Sequence, residues 1–156
     1  MLAYATYFKG KIRYGSSWNN SDPKNLRWKT LKSGGVSDCS WFVFHVLNKY
    51  GLVKDFVHSY EWGNSPGCYP GAVNIGTDIS KASPGDVICT GRGTASNNSH
   101  VALYLGNGKV VECGDGAGVI ISNAPSSPRA IVHFKCLPNN NSAGFTNSST
   151  GKWVKS

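Results

Sequence analysis

The sequence predicts one domain of the α+β class, with helices in the first third and an antiparallel sheet in the second half. The chain has 156 residues, which suits one domain with a core of its own. A helix-length apolar segment covers residues 36–51, and short β-branched runs separated by turns fill residues 83–134. Helices that precede the strands, rather than alternating with them, are typical of α+β proteins.

The N-terminal part of the chain predicts a short helix and a polar loop. Met1 to Lys11 reads as a short amphipathic helix that ends at Gly10. Residues 13–35 are polar and carry Trp18 and Trp28, and the run from Asn19 to Pro23 is a strong turn signal.

The apolar segment at 36–51 predicts a helix with a cysteine in its first turn. Ser37 and Asp38 are suitable N-cap residues, and Gly51 suits the left-handed end of a helix. One face can be buried, formed by Val43, Val46, Leu47 and Tyr50. Cys39 then lies at the positive end of the helix dipole, which favours a thiolate. The competing interpretation is a small, buried, inert side chain.

The remaining segments predict a loop region and then a set of strands. Residues 52–80 predict a second short helix or turn, followed by a Gly/Pro-rich loop. Gly106-Asn107-Gly108 predicts a tight hairpin turn. The predicted strands, arranged as an antiparallel meander, are Val87–Cys89, His100–Leu105, Lys109–Cys113, Val119–Ile121 and Ile131–Phe134. We expect a catalytic-type domain over residues 1–137 and a polar Asn/Ser-rich tail or linker over 138–156.

Charge and cysteine content limit the functional classes. A net charge of +8 favours an anionic partner, such as an anionic cell-wall polymer. No nucleic-acid motif accompanies the charge, so we expect no nucleic-acid partner. No apolar run approaches membrane-spanning length and no signal peptide is visible, which predicts synthesis in the cytoplasm. Five cysteines without a C-x-x-C pair predict reduced, buried thiols.

A cysteine nucleophile needs a base, and His100 is the best placed of the four histidines. His100 opens one strand of the predicted hairpin and Glu112 ends its partner, so the two are near cross-strand neighbours. A carboxylate there can orient the imidazole and stabilise its protonated form. The alternatives are an exposed His–Glu pair, or a zinc site from Cys89, His100 and Cys113, whose spacing matches no usual ligand pattern.

Three segments together resemble the NlpC/P60 cysteine peptidases, which are papain-like peptidoglycan hydrolases. The segments are Asp38-Cys39-Ser40 opening an apolar helix, Ser83-Pro84-Gly85-Asp86-Val87, and the run from His100 to Glu112. The resemblance covers about residues 10–135. Within that group the chain is similar to phage-type amidases and endopeptidases (endolysins), on the segments Gly10–Gly15 and Gly91–Ser96.

The resemblance implies a papain-like fold and assigns the roles. Cys39 would be the nucleophile, His100 the base, and Glu112 the third polar residue, where the family often has a second histidine. Tyr14 resembles the tyrosine of the oxyanion site, and Asp38 and Ser40 flank the nucleophile as candidate oxyanion or substrate residues. No metal or other cofactor is implied. Trp41 replaces the small residue that usually follows Asp-Cys-Ser.

We therefore expect a monomeric enzyme that cleaves an amide bond of peptidoglycan at the bacterial cell wall, during phage lysis or after secretion. Two alternatives stay open. One is a papain-like acyltransferase or deamidase that acts on a protein. The other is a wall-binding module without catalytic activity.

Overall fold

The computed structural model describes residues 1–64, 70–94 and 98–137, together with the backbone of residues 145–147 and 153–155. Parts of two predicted loops, residues 65–69 and 95–97, lie outside these described residues, as do Cys68 and Tyr69. Within the described part of the chain, no helix has both the length and the apolar character needed to cross a bilayer.

The first helix, α1 (Leu2–Tyr7), forms where the sequence predicts it but ends earlier. Leu2 and Ala5 bury its apolar side in the core. The N–H of Phe8 donates to the carbonyl of Ala5 at 3.2 Å, which tightens the last turn. Gly10, with φ of +71°, lies beyond the helix in the left-handed conformation that favours glycine.

Two very short strands were not predicted. β1 (Arg13–Tyr14) pairs in parallel with β2 (Val36–Ser37), in a register that sets Tyr14 opposite Ser37. Gly15 makes the close approach possible, since a Cβ there would lie 2.3 Å from Cγ1 of Val36. The pairing brings Tyr14 beside the start of the next helix.

The second helix, α2 (Cys39–Lys49), has the caps that the sequence predicts. Asp38 is the N-cap and its side chain accepts a hydrogen bond from the Trp41 N–H at 2.9 Å. Gly51 follows the helix with φ of +74°. Most of the predicted face is buried, namely Val43, Val46 and Leu47. The prediction for Tyr50 was wrong: it is 46% exposed, because the helix ends at Lys49 and Tyr50 leaves the helical path.

The five predicted strands are present in one six-stranded antiparallel sheet, which confirms the α+β class. The strands are β3 (Ala72–Asn74), β4 (Val87–Thr90), β5 (His100–Gly106), β6 (Lys109–Gly114), β7 (Gly118–Asn123) and β8 (Ala130–Phe134). Their order is β3-β8-β4-β5-β6-β7, so β4 to β7 form the predicted meander. The meander prediction was wrong for the last strand, because β8 returns to pair with β4 and with the unpredicted β3.

The segment 52–80 has the predicted turn, but it also contains two short elements that were not predicted. It contains turns around residues 59–63, the strand β3 and a short 3₁₀ helix at Ile79–Lys81, whose first turn is capped by Asp78. Three-residue elements of this kind carry too few residues to show a period in the sequence.

Helix α2 packs across one face of the sheet and positions its first turn at the end of the sheet where β5 begins. The apolar face of the sheet toward the helix includes Val101, Leu103, Val111 and Cys113, which share one core cluster with Val43, Val46 and Leu47. The opposite face holds a second cluster around Ala102, Tyr104 and Val110. The N-terminus of α2 and the N-terminus of β5 therefore lie at the same edge of the core.

The four described cysteines are free thiols. Cys39, Cys89 and Cys113 are buried as predicted, whereas Cys136 is exposed, which corrects the prediction for that residue. In the segment 138–156, β9 (Phe145–Asn147) and β10 (Trp153–Lys155) pair in antiparallel fashion, and the remaining residues there lie outside the described chain. The domain boundary at residue 137 stays a prediction.

Candidate active site

Cys39 is the first residue of α2 and faces a cavity at the edge of the sheet. The cavity has a volume of about 230 Å³, and Cys39 lines it together with Tyr14, Trp18 and Ser99. The first-turn amides of a helix have no partner within the helix, and the dipole makes this end positive. The location therefore favours negative charge on the Cys39 sulfur.

His100 and Glu112 are in contact at the open end of the hairpin formed by β5 and β6. The Nε2 atom of His100 lies 3.1 Å from Oε2 of Glu112. Continuing the Leu103–Val111 register places Glu112 opposite Ala102, so the contact with His100 is diagonal. With Nε2 bound to the carboxylate, Nδ1 is the nitrogen left for another partner.

Cys39 is the other group that acts on the His100 ring. Burial by itself lowers the pKa of His100, but side-chain hydrogen bonds to Cys39 and Glu112, and the negative charges of both, raise this pKa to about 10. The imidazole is therefore protonated at neutral pH when it lies between a thiolate and a carboxylate. The structure thus places Cys39 close enough to His100 to shift its pKa, and His100 in direct contact with Glu112.

The carboxylate of Glu112 is itself held in its charged form. The hydrogen bond from His100 lowers the pKa of Glu112 against the opposing effect of burial, and the charge of His100 and a hydrogen bond from Ser122 act in the same direction. Ser122 lies on β7, directly beside β6, so the carboxylate has a partner on each side. A charged, oriented Glu112 can fix the tautomer of His100.

Tyr14 lies on the same cavity, across from the helix start. Burial raises the pKa of its hydroxyl, hydrogen bonds with Trp18 and Ser16 lower it, and the charges of Cys39 and Asp38 raise it further, with a net upward shift. The hydroxyl therefore stays protonated and remains a hydrogen-bond donor at neutral and moderately alkaline pH. Its position next to Cys39 depends on the β1–β2 pairing, which sequence alone did not reveal.

Asp38 and Ser40 line the cavity, but their side chains are also engaged with the protein. The Ser40 hydroxyl donates to Oδ1 of Asp38 at 3.1 Å, and Oδ2 of Asp38 lies 3.2 Å from Nε of Arg27. Burial raises the pKa of Asp38, while the Trp41 N–H, Arg27 and Ser40 act to lower it. The structure thus gives both residues a role in capping α2, and a substrate role for them stays a prediction.

Arg27 is a site residue that sequence reasoning missed. It lies in a short 3₁₀ helix (Leu26–Trp28), and its Nη1 atom is 2.9 Å from Oδ2 of the buried Asp22. The Asp22–Arg27 spacing fits no helical or strand period. Only the Asn-Asn-Ser-Asp-Pro turn before it could have indicated that Asp22 caps a following turn.

A row of aromatic rings forms one wall of the cavity, and it begins at Trp41. Trp41 stacks on Phe56 with ring centroids 3.9 Å apart, Phe56 meets His58 edge-on at 4.8 Å, and His58 stacks on Tyr60 at 5.2 Å. All four residues line the cavity with Cys39. Except for Trp41, this wall comes from the segment 52–80, whose course the sequence did not predict.

A second cavity of about 320 Å³ lies on the other side of Tyr14. Arg13 and Asp115 line it, together with the glycine-rich turn between β6 and β7. Tyr14 lines both cavities and so lies between them. Cys39 lines only the first cavity, the one with the aromatic wall.

In the described residues, no group of three or more His, Cys, Asp or Glu side chains is arranged to hold a metal ion. The thiols considered for zinc have other surroundings. The Cys113 thiol donates to the carbonyl of Ser37 at 3.4 Å, and burial raises its pKa beyond the ordinary thiol range.

A helix that carries a cysteine in its first turn and packs on an antiparallel sheet defines a papain-like α+β protein. The sequence matches the NlpC/P60 family over residues 17–131, and the chain belongs to that family. Members of this family are generally cysteine peptidases that act on peptidoglycan. The chain is also similar to the structure of NlpC1 from Trichomonas vaginalis, with a TM-score of 0.52 and 18% sequence identity over 85% of this chain. It spans 43% of the length of that structure, and the likeness shows the fold alone.

Proposed function

We propose that this protein hydrolyses an amide bond of peptidoglycan peptides by a thiol mechanism. Cys39 would be the nucleophile, His100 the proton carrier and Glu112 the residue that orients His100. The observation that supports this most directly is the His100 imidazole between the Cys39 thiol and the Glu112 carboxylate, 3.1 Å from the latter, in a chain of the NlpC/P60 family.

The chemistry follows from the charges at the site. The Cys39 thiolate attacks the carbonyl carbon of the amide and forms a carbon–sulfur bond, while the carbonyl electrons move to oxygen. The Cys39 N–H at the start of α2 and the protonated Tyr14 hydroxyl, which lines the same cavity, would donate to this oxyanion. His100 gives its proton to the amine, which leaves with the electrons of the carbon–nitrogen bond. Water, deprotonated by His100, then attacks the thioester, releases the acid and restores the thiolate.

The dimensions and charge of the protein suit a wall peptide. Two cavities lie beside Tyr14, one with the aromatic wall and Cys39 and the other lined by Arg13 and Asp115, and a peptide on either side of the scissile bond could occupy them. A net charge of +8 favours attraction to anionic wall polymers. In this proposal the protein is a monomer that acts at the bacterial cell wall, and the phage-type lytic role is the specific form that we favour.

A Cys39→Ala variant tests the proposal. Purified peptidoglycan should lose turbidity with the unaltered protein, and mass spectrometry should find new free amines and carboxylates at one stem-peptide bond. Cys39→Ala should release no such products, because no other described thiol lies between His100 and the cavity. Cys136→Ser is the matched control: it removes an exposed thiol outside the site and should retain full activity.

Three outcomes would contradict the proposal. Wall cleavage retained by a folded Cys39→Ala protein would exclude the thiol mechanism. Intact muropeptides together with a mass change on a protein substrate would indicate an acyltransferase or deamidase. Wall binding without any product peptide would indicate a binding module.

A further inference from the structure

The guanidinium group of Arg27 connects the loop before the nucleophile helix to the first turn of that helix. Its Nε atom lies 3.2 Å from Oδ2 of Asp38, and its Nη1 atom lies 2.9 Å from Oδ2 of Asp22. All three side chains are largely shielded, with 14% of Arg27, 15% of Asp38 and 1% of Asp22 exposed. An ion pair shielded in this way is screened by water and salt much less than a surface pair.

The Asp22 carboxylate binds the backbone of Arg27 as well as its guanidinium group. Oδ1 of Asp22 accepts the N–H of Leu26 at 2.8 Å, and Oδ2 accepts the N–H of Arg27 at 3.1 Å. The carbonyl oxygen of Arg27 also lies 2.9 Å from Nε2 of His45, in the middle of α2. Because burial lowers the pKa of His45, its ring is neutral at pH 7 and its Nε2–H donates this bond without adding charge.

Asp38, at the other end of the ion pair, directly precedes Cys39. Its Oδ1 atom accepts from the Trp41 N–H and the Ser40 hydroxyl, and its remaining oxygen meets Arg27. The carboxylate therefore caps α2 at the place where the thiolate forms. The negative charge of Asp38 opposes ionisation of the neighbouring Cys39 thiol. The helix cap therefore acts against formation of the thiolate.

The groups around Cys39 show which charges act on its sulfur. Tyr14 acts on it from β1 and His100 from β5, Cys113 lies on the helix-facing side of β6, and Glu112 contacts His100. At pH 7 the tyrosine and Cys113 are neutral, His100 carries one positive charge, and Glu112 and Asp38 carry one negative charge each. Arg27 is the positive partner of both Asp38 and Asp22, so without it both carboxylates would be unpaired and the surroundings of the sulfur would be more negative by one charge.

We propose that Arg27 is a positioning residue of the thiol site, which neutralises Asp38 so that this carboxylate can cap the nucleophile helix without opposing the Cys39 thiolate. This inference depends on the proposed function for its consequence in catalysis, but its electrostatic part concerns Cys39 alone. The loop of residues 15–35, in which the sequence shows no known motif, would then have a function in the thiol site.

The test measures alkylation of Cys39 by iodoacetamide as a function of pH. Cleavage after Lys32 and Lys49 gives a peptide, residues 33–49, in which Cys39 is the only cysteine, so mass spectrometry reads this thiol separately from the other four. In Arg27→Gln we expect the midpoint of the pH–rate curve to rise by about one pH unit, which is roughly a tenfold loss of rate below the midpoint.

Two further variants separate charge from structure. In Arg27→Gln/Asp38→Asn the midpoint should return toward that of the unaltered protein, because asparagine still caps the helix but carries no charge. Lys29→Gln is the matched control, since it removes one exposed positive charge from the same loop and should leave the curve unchanged.

The proposal has clear contrary results. An unchanged midpoint in folded Arg27→Gln would overturn it, and so would a raised midpoint that Asp38→Asn does not reverse. If Arg27→Gln does not fold, Asp38→Asn alone decides: its midpoint should fall, and a rise would overturn the proposal. The readout uses no peptidoglycan, so this inference can fail while wall cleavage stands, and wall cleavage can fail while this inference stands.

Discussion

The sheet contains two histidine–carboxylate pairs, and they differ in surroundings more than in geometry. In the first pair, Nε2 of His100 lies 3.1 Å from Glu112, with 32% and 20% of the side chains exposed. In the second, Nδ1 of His133 lies 2.7 Å from Asp86, with 8% and 0% exposed. A short imidazole–carboxylate contact therefore does not define an active site in this protein.

Two features distinguish the pair that we propose to be catalytic. His100 stands at the start of β5, close enough to Cys39 for the thiol to raise its pKa, and Cys39 lines an open cavity. His133 lies within β8, between β3 and β4, and the carboxylate of Asp86 also accepts the buried N–H of Ser83 at 2.8 Å. The first pair has access to a nucleophile and to solvent, while the second connects strands in the interior.

The largest expected effect comes from removing the imidazole at the open edge. His100→Ala should lower kcat for wall peptide cleavage by about 10³-fold, because proton transfer to the leaving amine is lost. Its free energy of unfolding should fall by less than that of His133→Ala, because the His100–Glu112 pair is partly exposed whereas the His133–Asp86 pair is buried. Rates on purified peptidoglycan and urea denaturation measure the two quantities. If His100→Ala retained most of its activity, the His100–Glu112 pair would not be catalytic and would not differ in function from the His133–Asp86 pair.

The buried pair should respond in the opposite way. His133→Ala leaves the carboxylate of Asp86 without its partner in the interior, so we expect a loss of about 3 kcal/mol in unfolding free energy. The activity of the molecules that remain folded should be unchanged, since His133 is buried within β8 and its ring is bound to Asp86. Urea denaturation and activity per folded protein check this. A stable but inactive His133→Ala protein would show that the second pair serves catalysis.

The sequence was sufficient for the elements whose signals are local. The caps Asp38 and Gly51 and the apolar spacing of α2 predict the nucleophile helix, and the Gly106-Asn107-Gly108 turn predicts the hairpin that brings His100 to Glu112. The choice of His100 over His133 also came from a local feature, its place at the start of a hairpin strand whose partner ends at Glu112. These signals predicted the region of the candidate site before its geometry was available.

The rest depends on pairings between distant segments, which leave no period in the sequence. The two-residue β1–β2 ladder places Tyr14 on the cavity, and the return of β8 to pair with β4 encloses His133. The contact between Arg27 and Asp38 joins a loop to a helix cap eleven positions away, and neither residue indicates the other. Such contacts are decided by the packing of the whole domain rather than by propensity.

The smallest expected effect sharpens the comparison by keeping the shape of the site and removing one charge. In Glu112→Gln the amide oxygen can still accept the His100 Nε2–H, so the ring keeps its orientation. The acceptor changes from a carboxylate to a neutral amide, which weakens the bond to the imidazolium by about 1 to 1.5 kcal/mol, and we expect kcat to fall by about tenfold.

The pH dependence gives this variant a second readout. The pKa of His100 is raised to about 10, above the ordinary value of about 6.5. The stability that the protonated ring gives to the folded protein is therefore complete below about pH 6.5 and is lost as the pH rises through about 10. Removing the Glu112 charge takes away one of the causes of that increase, so the alkaline decline of activity should begin at lower pH in Glu112→Gln. Matched pH–rate profiles measure this shift. An alkaline limb that does not move would mean that Glu112 only orients the His100 ring and does not stabilise its positive charge.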